Sequence, residues 1–149
     1  MKHGSLLLIV VAASLVLSGS AFATAPPDNP TTRVFTQEQL VKIEDNLLLC
    51  LASECPGVRA TAALTIKQLK ETAPGYSFER SIIPLMRIVK NEDSDDCSRL
   101  TASLALHVLE SARGDYAIKM TAYFTEAGRV KRMCENLSYT RTTEKLALQ

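Results

Sequence analysis

From Leu40 onward the apolar residues recur at spacings of three and four, the period of a helix with one buried face. Leu40, Ile43, Leu47 and Leu51 form the first such stripe. Thr36-Gln37-Glu38-Gln39 ahead of it fits a capping box, and Pro56-Gly57 ends the helix near Glu54. A second helix is expected over about 57–71, burying Val58, Ala62, Ile66 and Leu69 before Pro74-Gly75 stops it. A third begins near Phe78 and carries Ile82, Leu85, Met86 and Val89, with Pro84 close to its first turn, where a missing N–H is tolerated. The acidic turn Asn91–Asp96 offers Ser94 or Asp95 as N-cap for a fourth helix over about 96–110. A fifth (115–125) and a sixth (128–139) follow, and the chain after Arg141 is expected to fray as a tail over 142–149. No segment alternates cleanly as a strand would, so the pattern predicts an all-α fold.

The N-terminus carries a different signal. Lys2 precedes an apolar run from Leu6 to Leu17 that only Ser14 interrupts, and Ala21-Phe22-Ala23 follows. Small residues at Ala21 and Ala23 suit a signal peptidase, which places cleavage after Ala23 and makes residues 1–23 a signal peptide. The run is too short for a membrane span, which needs roughly 20 apolar residues. No Cys follows it, so no lipid anchor is expected. Residues 24–35, with Pro26, Pro27 and Pro30, read as a linker. Residues 36–141 then make one helical domain, in a protein expected to be exported to the periplasm or outside the cell.

Charge narrows the partners. The chain has 17 Lys+Arg and 16 Asp+Glu, and the leader contains only Lys2, so the remainder is neutral. A neutral chain gives no electrostatic reason to bind nucleic acid, and nothing after the leader is apolar enough to insert in a membrane. Trp is absent and aromatics are 5% of the chain, which argues against an aromatic-lined ligand groove.

The even-numbered helices resemble one another. Val58-Arg59-Ala60-Thr61-Ala62-Ala63-Leu64 sets against Ser98-Arg99-Leu100-Thr101-Ala102-Ser103-Leu104 at an offset of about 40 residues, and Gly128-Arg129-Val130-Lys131-Arg132-Met133 is a weaker third copy. This pattern resembles HEAT repeats. Ile83-Pro84-Leu85-Met86 is similar to the opening of many HEAT first helices, and Arg113-Gly114-Asp115-Tyr116-Ala117-Ile118 is similar to a link in small exported HEAT-like bacterial proteins. The resemblance implies a short right-handed α-α superhelix of about three antiparallel helix pairs. Small residues at Ala60, Ala62, Ala63, Ala102, Ser103 and Ala105 would let the second helices of adjacent repeats approach closely, since a single pair cannot bury its apolar face alone.

Four cysteines remain after the leader: Cys50, Cys55, Cys97 and Cys134. In stacked antiparallel pairs the first three share one edge. Export would permit a bridge among them, either Cys55–Cys97 between neighbouring repeats or Cys50–Cys55 across one turn. Cys134 falls at a small, inward mid-helix position and is expected as a buried thiol. The cysteine spacing is not that of a zinc site, and Asp93, Asp95 and Asp96 lack the glycine and the terminal glutamate of a calcium loop. His107 stands alone after the leader, no nucleophile elbow surrounds any Ser or Cys, and there is no His-Glu dipeptide of the kind that binds iron on this scaffold. No metal, cofactor or catalytic residue is expected. Arg59, Arg99, Arg129, Lys131 and Arg132 mark an interaction surface, with Arg59 and Arg99 also suited to ion pairs between repeats. The expected function is therefore a non-catalytic module binding a protein or peptide. A homo-oligomeric assembly role is the alternative, and a metal-dependent enzyme with a dispersed site ranks below both.

Overall fold

The computed structural model describes residues 35–126 and 128–148. The expected leader and all of the linker but Phe35 lie outside the described residues. Within them the fold is all-α: six helices, α1 (Gln37–Leu51), α2 (Pro56–Thr72), α3 (Glu79–Lys90), α4 (Asp96–Val108), α5 (Ala112–Phe124) and α6 (Gly128–Ala147), with no strand.

Local chemistry sets most of the ends. Thr36 caps α1 through its side chain while Gln39 reaches back to the Thr36 N–H, completing the capping box. Pro56 opens α2 at the position where no N–H is needed. Asp95 caps α4 by accepting from the Ser98 N–H, and Ser111 caps α5 by accepting from the Gly114 N–H. Phe78 precedes α3 in a left-handed conformation (φ 50°) that a β-carbon disfavours. Complete burial of its ring, edge-on to Tyr76 at 4.6 Å, offsets that strain.

Three features depart from the sequence pattern. Pro84 sits inside α3 rather than in its first turn; the only ladder bond it removes is the one to the Arg80 carbonyl, near the helix start. Val58 is 39% exposed, because α2 turns Ala60, Ala62, Ala63 and Ile66 inward instead. Residues 142–147 continue α6 as helix.

Consecutive helices pair (α1 with α2, α3 with α4, α5 with α6), and the pairs stack. The odd helices touch in the order α1, α3, α5 and the even helices in the order α2, α4, α6, giving two layers. The α2–α4 interface is the most extensive, and the two helices are rich in small buried residues: Ala62 and Ala63 on α2, Ala102 and Ala105 on α4. Leu85, Val89, Leu106, Ile118 and Val130 fill the space between the layers. Gly114 lets α5 approach α4 closely, since a β-carbon there would lie 3.3 Å from both the carbonyl and a methyl of Leu106.

Candidate functional site

The repeated arginines are placed alike. Arg59 donates to the carbonyls of Ser53 (3.0 Å) and Glu54 (2.9 Å) in the turn before α2, and pairs with Asp95, the cap of α4, at 3.3 Å. Arg99, buried to 2% exposure, donates to the Val89 carbonyl at the end of α3 (3.1 Å) and to the Thr125 hydroxyl just after α5 (3.0 Å). Each arginine thus joins its own helix pair to the next. The Asp95 carboxyl is held below the usual carboxylate range, first by hydrogen bonding to Ser98 and then by Arg59. Arg129, Lys131 and Arg132 stand exposed on α6. The five basic residues named from the sequence therefore do not form one surface: two are fasteners and three are solvated.

The cysteines divide in the same way. Cys55, the N-cap of α2, and Cys97, in the first turn of α4, are exposed free thiols at neighbouring helix starts, where the Ser98 hydroxyl reaches the Pro56 carbonyl at 3.1 Å. Cys50 is a half-buried thiol that lines an apolar groove with Cys55, Leu47 and Val58. Cys134 is fully buried, 3.6 Å from the Ser103 hydroxyl, and burial pushes its thiol up from the ordinary value.

A buried carboxylate was not anticipated. Glu44 is 2% exposed and accepts from the Tyr76 hydroxyl (2.8 Å), the Ser81 hydroxyl (3.0 Å), and Nε (3.2 Å) and Nη2 (3.1 Å) of Arg80. Arg80 also pairs with Asp45 at 2.7 Å, and the two carboxylates hold its guanidinium more firmly protonated. Burial, then Glu44, raises the Tyr76 phenol. Both carboxylate oxygens are engaged, Oε1 by Ser81 and Oε2 by Tyr76 and Arg80, so this knot fastens α1 to α3. The signal for it lay in the heptad: Glu44 follows Leu40 by four and precedes Leu47 by three, on the apolar stripe itself.

The junction of α4, α5 and α6 is less settled. Arg141, 13% exposed, pairs with Glu110, Asp115 and Glu144, each at 3.3 Å, and donates to the His107 carbonyl. Lys145 pairs with Asp115 at 3.1 Å. Glu110 is in a left-handed conformation (φ 54°) that would suit glycine. Beside this network lies a cavity of about 250 Å³ whose walls include His107, Ser138, Arg141 and Lys145. His107 Nδ1 and Ser138 Oγ are buried without hydrogen-bond partners. Burial, then Arg141, lowers the His107 pKa, so the imidazole is neutral at neutral pH.

The last helix pair also displays aromatic rings. Tyr116, Tyr123, Phe124 and Tyr139 are 58–79% exposed, and Tyr123 meets Phe124 edge-on at 5.0 Å. Tyr116 and Tyr123, seven residues apart, share one face of α5, and Lys90 sits over the Tyr116 ring at 5.9 Å. Among the described residues no group of three or more His, Cys, Asp or Glu converges on a metal-sized site, and no helix is long and apolar enough to cross a membrane. Comparison with protein-family models, curated proteins and solved structures returns no match.

Proposed function

We propose that the protein is an exported, non-catalytic helical-repeat module of HEAT-like design that binds a protein or peptide partner. The observation that carries this reading is the exposed aromatic group on the last helix pair. Tyr116, Tyr123, Phe124 and Tyr139 are half of the chain's eight Phe and Tyr residues. Exposed aromatic rings lose hydration favourably on docking, and they are enriched in the buried centres of interfaces. The HEAT-like part of the reading is supported by the order of the two layers and by the equivalent placing of Arg59 and Arg99. Export is supported by the leader pattern of residues 1–23 and the small residues at Ala21 and Ala23.

A photo-crosslinking residue in place of Tyr123, with one in place of the exposed Glu71 as control, tests the reading in an envelope extract. The expected result is a discrete adduct from position 123, absent at position 71 and lost on Phe124→Ser. Equal, diffuse labelling at both positions would overturn it.

A homo-oligomeric role is favoured by a different feature. The groove lined by Leu47, Cys50, Cys55, Val58 and Ala62 is almost wholly apolar and lies at the opposite end of the stack. Light scattering of the wild type beside Val58→Glu separates the two readings: a dimer that Val58→Glu dissociates supports self-assembly, and a monomer refutes it.

A further inference from the structure

We propose that the outward face of α5 docks an acidic peptide segment that carries one large apolar side chain. The proposal rests on the docking role given above to the aromatic group, and it adds the chemistry of the partner.

The composition of that face is the first ground. The exposed residues of α5 are Ala112, Arg113, Tyr116, Lys119, Tyr123 and Phe124. Three are aromatic, two are cationic, and none is acidic or neutral polar. A helix face kept for water alone mixes both signs of charge with few exposed rings. Asp115, the acid of α5, is turned to α6, where it pairs with Arg141 and Lys145.

The second ground is charge left over. Among the described residues neither Arg113 nor Lys119 has an ion pair, whereas Lys42, Lys67, Arg80, Arg141 and Lys145 each have at least one. Lys90, the last residue of α3, adds a third cation over the Tyr116 ring. Unpaired cations steer carboxylates to the face, and burial of the rings then holds them there.

The third is shape. Beside Phe124 lies a recess of about 170 Å³ with Lys90, Met120 and Thr125 among its walls. A cavity of about 150 Å³ holds a benzene-sized group, so this recess suits one leucine or phenylalanine side chain. Glu92 also borders it, which sets the polarity of the partner: apolar anchor at Phe124, carboxylates at Arg113 and Lys119. From Arg113 to Phe124 the face runs about 16 Å, the reach of roughly five extended residues. A lipid surface would meet the cations and rings but has no single side chain to seat in the recess.

The probe is a library of random peptides of about twelve residues, panned on the protein, with selected peptides measured by fluorescence anisotropy. We expect them to carry about three or more Asp and Glu around a large apolar residue, with Kd on the order of 10–100 μM for so small a footprint. Arg113→Gln combined with Lys119→Gln should weaken binding about tenfold at low salt and less at high salt. Both side chains are exposed, so the fold should be as stable as the wild type. Phe124→Ser should also weaken binding about tenfold. Selected peptides that need Phe124 but are neutral or basic would overturn the acidic assignment and leave the docking role standing. Failure to select any peptide, or peptides indifferent to Phe124→Ser, would overturn the proposal, and the crosslinking at Tyr123 then decides the docking role by itself. Binding to vesicles of equal parts phosphatidylcholine and phosphatidylglycerol that selected peptides fail to displace would overturn it by giving the face to a membrane.

Discussion

The Glu44 knot can be tested by replacing its carboxylate with a hydrocarbon of similar size. In Glu44→Leu the hydroxyls of the buried residues Tyr76 and Ser81 lose their acceptor. Each stranded hydroxyl costs roughly 1–3 kcal/mol, and the added apolar burial of Leu returns part of that, leaving a net loss of about 2–4 kcal/mol. Arg80 contributes little to this loss, because its half-exposed guanidinium keeps Asp45 and gains water. The decisive variant is Glu44→Leu combined with Tyr76→Phe and Ser81→Ala. Removing donors and acceptor together leaves nothing unsatisfied, so most of the lost stability should return. Urea unfolding followed by far-UV circular dichroism reads both. With m near 1–2 kcal/mol/M, the single variant should lower the midpoint by about 1–4 M. A single variant within about 0.5 kcal/mol of wild type, or a triple variant no more stable than the single, would refute the account.

Further outcomes follow from other sites. Asp95→Ala should cost about 1–2 kcal/mol through the lost cap, whereas Asp95→Asn, which still caps, should cost less than half of that. Because the Asp95 carboxyl is depressed, its contribution is present above the ordinary carboxylate range near 4 and is lost as pH falls through the lower folded value. Asp95→Asn should lack that acid dependence in chemical unfolding between about pH 5 and pH 2. Glu110→Gly should raise the melting temperature by about 2–4 °C, since relief of the left-handed backbone exceeds the value of one exposed ion pair to Arg141; a fall would show that pair to be the stronger term. In the native, reduced protein, alkylation followed by mass spectrometry should modify Cys55 and Cys97 quickly, Cys50 more slowly and Cys134 only after unfolding. Without reductant, blocked labelling of Cys55 and Cys97 together would establish a bridge between them.

Helix number and most starts were legible because capping side chains and Pro-Gly breaks act locally. The Thr36–Gln39 box needs only four residues to specify it, and the structure places it there. The length of α6 was not legible. Its last turns carry no apolar stripe; ion pairs of Arg141 and Lys145 accompany them, and Thr140, Thr142 and Thr143 bond back to carbonyls one turn earlier. Polar support of that kind has no 3.6-residue hydrophobic period to detect. Arg59 and Arg99 were legible as equivalents suited to ion pairs between repeats, and Arg59 does pair with Asp95; their grip on backbone carbonyls was not legible, since any sequence supplies those. The α4–α6 cavity was hidden for a related reason: His107 and Ser138 are far apart along the chain and ordinary one by one.

The two arginine fasteners bear on how this chain tolerates change. Arg59 and Arg99 each grip carbonyls within their own helix pair and reach the next pair through one side chain, the Asp95 carboxylate and the Thr125 hydroxyl respectively. Substitution on the outer helix faces leaves that grip intact, whereas one residue inserted between Ala73 and Asp95 would shift the second pair against the first. The register between successive pairs is therefore tied to where Asp95 and Thr125 stand, so a change of chain length between an arginine and its partner disturbs the stack more than a change of residue on an outer face.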